Sequence, residues 1–219
     1  ADARQMARAY SSNLLGKYQA KGHVVHILPE HFARQSELLQ NPRVRSEAFL
    51  RLILIHELVH AIDQEHYRVV ARFGELKSTA EIEVWNALVE GHAQYVTAKV
   101  LKGSGETELF ESYEKLIVAS PPDLSEADKY LASLVSQFFK FSYIDGKAFF
   151  DGVEKAGRKD FVADLFAKPP ASKSVILRPE TYYDPKSAPK SRDLQPLWDD
   201  FKKLHPDDST VVRDLDASQ

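Results

Sequence analysis

Five consecutive residues, His56-Glu57-Leu58-Val59-His60, are spaced to do chemistry. On a helix the two histidines lie one turn apart on the same face, so they can put two imidazole nitrogens on one metal ion with Glu57 beside it. A zinc ion held this way keeps a position open for water and lowers its pKa to about 7, while the neighbouring carboxylate takes the proton as the water attacks a carbonyl. The implied chemistry is metal-assisted hydrolysis of an amide.

The same three letters also arise without a metal, as two helix histidines paired with acids such as Glu57, Asp63 and Glu65. The surroundings argue against that reading. Phe49, Leu50, Leu52, Ile53, Leu54, Ile55, Leu58, Val59 and Ile62 place apolar side chains on almost every side of the segment, which predicts a buried helix. Two histidines and an ionised glutamate buried there without partners are strongly destabilising, and a bound dication satisfies all three.

A catalytic zinc needs a third protein ligand. The chain has no cysteine, so that ligand must come from the other histidines or the acids, and disulfides are excluded with it. Between Ser78 and Leu101, Glu83, Asn86, Glu90 and Gln94 recur at helical spacing as a polar stripe on a segment otherwise rich in Ile82, Val84, Trp85, Leu88, Val89 and Val96. Glu90 is the preferred ligand, because Gly91 follows it and would let this helix approach the metal-site helix closely. Glu83 reads as a solvated charge. His92 is the runner-up ligand, although it projects about 200° around the helix from Glu90.

The elements that must position these groups follow from pattern and punctuation. Residues 3–20 have helical spacing, and 23–28 alternate like a strand ended by Pro29. A helix is expected over 30–40, a turn at "NPR", and the metal-site helix over about 44–66 with Asn41 or Ser46 as its cap. A further helix runs from Ser78 or Thr79 to about Leu101 and is ended by Gly103 and Gly105. Helical patterns follow over 106–119, 125–141, 146–156 and 159–167, with a breaker at 120–123. The chain then turns rich in Pro, Ser, Lys and Asp, with one apolar cluster from Pro196 to Leu204. Residues 184–194 read as extended loop and 206–219 as a weakly ordered tail.

Composition sets the remaining bounds. The 219 residues are 43% hydrophobic and 28% charged, with a formal net charge of −3 and no basic block, so nothing indicates a nucleic-acid partner. Arg51, His56, Glu57 and His60 interrupt the longest apolar run, which predicts no membrane span. The chain begins at "ADARQMARAY" without an initiator Met or a signal-peptide pattern, which suggests a processed product and favours an extracytoplasmic or secreted location over the cytoplasm.

Taken together, "HELVHAIDQEH" and "ALVEGHAQYV" resemble the gluzincin zinc metallopeptidases, in which two histidines of the first motif and a downstream glutamate hold zinc. More narrowly, they are similar to a group of bacterial and archaeal proteins with "HELxHAxQDQH", then "ALxEGDA", then "PPxSxxQxLHPExY"; the last segment stands here as "PPASKSVILRPETYY", residues 169–183. The resemblance implies zinc on His56, His60 and Glu90, with Glu57 as general base. Two positions depart from the pattern: His92 stands where it has Asp, and Arg178 where it has His. A titratable imidazole is thereby replaced by a permanent cation.

A second donor aimed at the developing oxyanion would add to the zinc. Arg178, Tyr182, Tyr183 and Tyr143 are the candidates, Arg178 first and Tyr182 next because it lies in the resembling segment. The strand "HVVHIL" offers an edge on which an extended peptide substrate could align. The expected fold is α+β and mainly α-helical, zincin-like, with a small N-terminal sheet. Its catalytic domain would span 1–183 in two lobes around a metal cleft, and 184–219 would form a C-terminal extension. The expected reaction is peptide-bond hydrolysis on a peptide or protein substrate. A catalytically silent zinc module is the first rival, and an accidental motif in an unrelated helical domain is the second.

Overall fold

The computed structural model describes residues 14–38, 40–119, 126–157, 160–184, 186, 199–200 and 202–203. It is mainly helical with one small antiparallel sheet, in keeping with the α+β expectation. The sheet pairs β1 (Gly16–Gln19) with β2 (Val24–Ile27) in the register Gly16 to Ile27 through Gln19 to Val24. The sequence pattern is contradicted at β1, where a helix over 3–20 was expected. Leu14, Leu15 and Tyr18 fit a helical face, but Gly16 sits among them and lets an extended backbone press against the helix that carries Ile53 and Glu57. Residues 3–13 lie outside the described part.

Pro29 opens α1 (Pro29–Leu38) rather than merely ending the strand, as its fixed φ and missing N–H allow at a first helical position. Asn41 then caps a short 3-10 turn (Pro42–Arg45), accepting a hydrogen bond from the Arg43 N–H at 3.1 Å. Ser46 caps α2 (Glu47–Tyr67) through the Phe49 N–H at 3.2 Å. Both residues considered as the cap of the metal-site helix therefore cap something, one turn apart. Helix α2 ends at Arg68, whose left-handed backbone (φ 52°) redirects the chain into α3 (Val69–Phe73).

Helix α4 (Thr79–Gly103) starts with a complete capping box between Ser78 and Glu81. It runs through Gly103, and Gly105 at φ +79° supplies the turn into α5 (Thr107–Ile117). The patterns at 125–141 and 146–156 are one continuous rod: α6 (Glu126–Phe139), a π-turn (Lys140–Asp145) and α7 (Gly146–Lys155). Within residues 160–184 three short helices follow, α8 (Phe161–Ala167), α9 (Lys173–Leu177) and α10 (Glu180–Tyr183). The breaker at 120–123, the tail at 206–219, nearly all of the 184–194 loop, and Pro196, Leu197, Trp198, Phe201 and Leu204 of the apolar cluster fall outside the described residues.

Two apolar clusters meet along α4. One gathers Trp85, Leu88, Phe149, Phe150, Leu165, Phe166 and Ile176, and the other Phe32, Phe49, Leu52, Ile53, Leu101, Phe110 and Leu116. Helix α2 is only half buried, contrary to expectation. Phe49, Leu52, Ile53, His56, Val59 and Asp63 face inward at spacings of three and four, whereas Leu58 and Ile62 are each 54% exposed. Among the described residues, no helix is long and apolar enough to cross a membrane.

Candidate metal centre

Helix α2 places His56 and His60 one turn apart, and α4, crossing it, delivers Glu90. The three nearest ligand atoms form a small triangle: His56 Nε2 to His60 Nε2 is 3.1 Å, His56 Nε2 to Glu90 Oε2 is 3.2 Å, and His60 Nε2 to Glu90 Oε2 is 3.3 Å. A tetrahedral zinc with bonds of about 2.0–2.1 Å separates its ligand atoms by about 3.3–3.4 Å. The fit is close. Three lone-pair atoms turned towards one point repel each other unless a cation or shared protons lie between them. Among the described residues this is the one group of three or more His and acidic side chains close enough to share an ion.

The electrostatics have the same origin. Burial opposes a charged imidazole at His60, but the Glu90 carboxylate, with Glu57 and Asp63 behind it, raises its pKa from 6.5 to about 9. Burial likewise opposes ionisation of Glu90, and the facing imidazoles override it, holding the carboxyl well below the usual carboxylate range.

Glu57 stands outside the triangle. Its Oε2 accepts a hydrogen bond from the Tyr18 backbone N–H at 2.6 Å. That contact requires Gly16, because a Cβ there would lie 2.7 Å from Ile53 Cγ2 and 3.1 Å from Glu57 Oε1. Antiparallel ladders alternate, and Leu28 N–H already donates to Leu15 C=O, so Lys17 and Gln19 turn their backbone groups to β2 while Gly16 and Tyr18 turn theirs outward. The edge that borders the site is thus β1, not the "HVVHIL" strand.

Two cavities open beside Glu57. One, narrow at about 40 Å³, is bounded by Leu15, Ile53, Tyr113, Leu116, Ile117 and Phe139, with His56 and Glu57 at one end. The other, about 250 Å³, runs past His60 and Glu90 to Tyr18, Val70, Phe73 and Val89. Tyr143 borders both, and its ring stacks on His56 at 5.8 Å with an interplanar angle of 11°. It sits in the π-turn, a form found often at functional sites. Tyr113 packs edge-on against His56 at 6.3 Å. Burial, then the charges of Glu57 and Glu90, push its hydroxyl far above the ordinary tyrosine range, so it stays a hydrogen-bond donor.

The other candidates lie elsewhere. Arg178 is exposed at the end of α9 and borders neither cavity. The Tyr182 hydroxyl donates to the Lys168 carbonyl at 2.6 Å, and its ring packs on Phe149. Segment 169–183 is held behind α7: Pro179 occupies the place where a Gly152 side chain would be, and Ile176 is buried in the core. Glu83 pairs with Lys173. His92 Nδ1 meets both oxygens of buried Asp63 at 2.9 Å. Gly91 does permit a close approach, but to Gly146 rather than to α2.

Sequence reasoning missed Tyr113 and the β1 edge. Tyr113 belongs to an ordinary amphipathic pattern, with no spacing that ties it to His56. Gly16 inside an expected helix was the available sign of the edge. No family model, curated protein or solved structure matches the chain.

Proposed function

We propose that the chain is a zinc-dependent metallopeptidase of zincin-like, gluzincin type. The observation that carries the reading is the 3.1–3.3 Å triangle of His56, His60 and Glu90, with a separate buried carboxylate, Glu57, beside it at the junction of two cavities. His56, His60 and Glu90 would hold the ion. Zinc, when bound, supplies Lewis acidity that polarises a carbonyl and acidifies water.

The rest is done by the chain. Glu57 takes the proton from the attacking water and passes it to the leaving amine. The Tyr18 N–H fixes the carboxylate that does so. The Tyr143 hydroxyl, carried by a ring stacked on His56, is the first candidate to donate to the oxyanion, ahead of Tyr113; Arg178 and Tyr182 lie away from the cavities. With the Tyr18 N–H engaged by Glu57, the outward backbone groups of Gly16 and the Tyr18 carbonyl offer an extended peptide an edge to pair with.

The test is metal analysis joined to a quenched-fluorescence peptide library. Stoichiometric zinc that is lost in His56→Ala, with cleavage that a chelator abolishes, supports the proposal. Zinc without cleavage of any peptide leaves the silent module. Absence of metal from carefully purified protein sinks both.

A further inference from the structure

We infer that the buried pair of Asp63 and His92 is a positioning device: it holds the half of α2 that carries His60 against α4, and so fixes where Glu90 meets the imidazoles. The inference rests on the metal-centre reading and adds two positioning residues to it.

Helix α2 is buried unevenly along its length. Its first half is anchored by Phe49, Leu52 and Ile53. From His60 to Tyr67 only Asp63 is buried, and it is wholly so; Tyr67, the last residue, is partly buried and stacks on Phe166. The stretch that carries His60 is thus held from within by a carboxylate. The partner of that carboxylate is fixed independently. The His92 ring lies 5.2 Å from Phe150 of α7 and 5.6 Å from Phe166 of α8, and its Nδ1 stands 2.9 Å from both Asp63 oxygens. An N–H shared by two buried oxygens tolerates little displacement, because a buried carboxylate without its donor is strongly destabilised. An apolar contact is non-directional and sets position less sharply.

Asp63 follows His60 by three residues, and His92 follows Glu90 by two. Glu90 and His92 leave α4 about 200° apart, yet both end on α2, the first at the imidazoles and the second at Asp63. A turn of α4 about its own axis, or a slide along α2, breaks one contact or the other. Glu90 Oε2 is thereby kept 3.2 Å from His56 Nε2 and 3.3 Å from His60 Nε2. Stability alone does not call for such a pair, since well-packed apolar side chains in place of buried charged partners commonly leave a protein as stable or more so.

The test compares three forms of the full chain: the parent, Asp63→Leu/His92→Phe, which replaces the pair by apolar side chains, and Asp63→Asn, which keeps an acceptor for the His92 N–H. Each is measured by urea unfolding without metal, by the through-space NMR contact between the His60 ring and the Glu90 side chain without metal, and by zinc affinity in competition with an indicator. The double variant should unfold at no less urea than the parent, lose the His60–Glu90 contact, and bind zinc at least about ten-fold more weakly. Asp63→Asn should keep the contact and stay within about three-fold of the parent in zinc affinity. A folded double variant with the parent's contact and affinity overturns the inference, because the pair is then packing alone. Equal losses in Asp63→Asn and the double variant also overturn it, since the charge and not the hydrogen bond would then be acting. Should the double variant not fold, Asp63→Glu decides in its place: one methylene displaces the same hydrogen bond, so the same losses are expected and parent-like behaviour overturns the inference. A parent that binds no zinc removes the metal-centre reading, and the metal-free contact then decides the positioning role by itself.

Discussion

Gly91 and Gly146 meet backbone to backbone: a Cβ on Gly91 would lie 2.4 Å from the Gly146 carbonyl carbon, and one on Gly146 would lie 2.3 Å from the Ala87 carbonyl oxygen. The crossing sets Glu90 and Tyr143, on two different elements, over the same imidazole of His56. Gly91→Ala should lower stability by about 2–3 kcal/mol, the upper part of the overpacking range, because backbone rather than a rotamer must yield. Urea unfolding measures it. A loss below about 1 kcal/mol would show that the helices separate easily, and the crossing would then not be what positions the two residues.

Glu57→Gln should keep the fold and the metal while hydrolysis falls by more than about 10²-fold, since the base is lost and both imidazoles remain. Zinc content and peptide turnover are measured on the same preparation. Activity within a few-fold of the parent would remove Glu57 from the mechanism.

Glu90→Ala should sharply weaken zinc binding, because one of three protein ligands and its charge disappear together. Glu83→Ala should leave it unchanged, since that carboxylate is engaged by Lys173. Competition with a zinc indicator separates the two variants, and equal affinity in both would refute the assignment of Glu90.

The His60 shift makes the metal-free protein sensitive to alkali. Its pKa rises from 6.5 to about 9 on folding, so its stabilising contribution is complete below 6.5 and disappears as the pH climbs through 9. Glu90, held low by the same contact, contributes above 4.5 and loses that share only in strong acid. Metal-free protein should therefore unfold at less urea at alkaline than at neutral pH. Zinc loading near neutrality should release about one proton, countable by calorimetry in buffers of different ionisation enthalpy. Loading without proton release would mean that His60 is neutral beforehand.

Arg178→Ala should retain full turnover, whereas Tyr143→Phe should lose about ten-fold or more if its hydroxyl donates to the oxyanion. Steady-state kinetics on one good peptide suffices. Loss in the arginine variant alone would return the donor role to the 169–183 segment.

Local signals were legible where they are decided locally. Ser46 and Ser78 announce their helices because a hydroxyl at a cap satisfies backbone donors only a few residues away. His56, His60 and Glu90 could be grouped because helical spacing and one polar stripe suffice to put them on facing sides. The β1 strand was not legible, since Leu14, Leu15 and Tyr18 suit either period and only packing against α2 decides between them. The same holds for Leu58 and Ile62, which are apolar yet exposed. Arg178 misled because likeness of a segment says nothing about which way the segment faces.

The π-turn at Lys140–Asp145 also works as a phase shifter between two helical rods. A wider turn takes up one residue more than an α-turn, so the face that α6 presents is set independently of the face that α7 buries. Removing one residue after Tyr143 would let the rod wind as a plain α-helix, and with α7 held in the core everything before the cut would rotate by about 100°. Tyr143 would then turn off the His56 ring while every side chain of the triad kept its place. The register of one turn, rather than any ligand, would decide whether the cleft has its tyrosine.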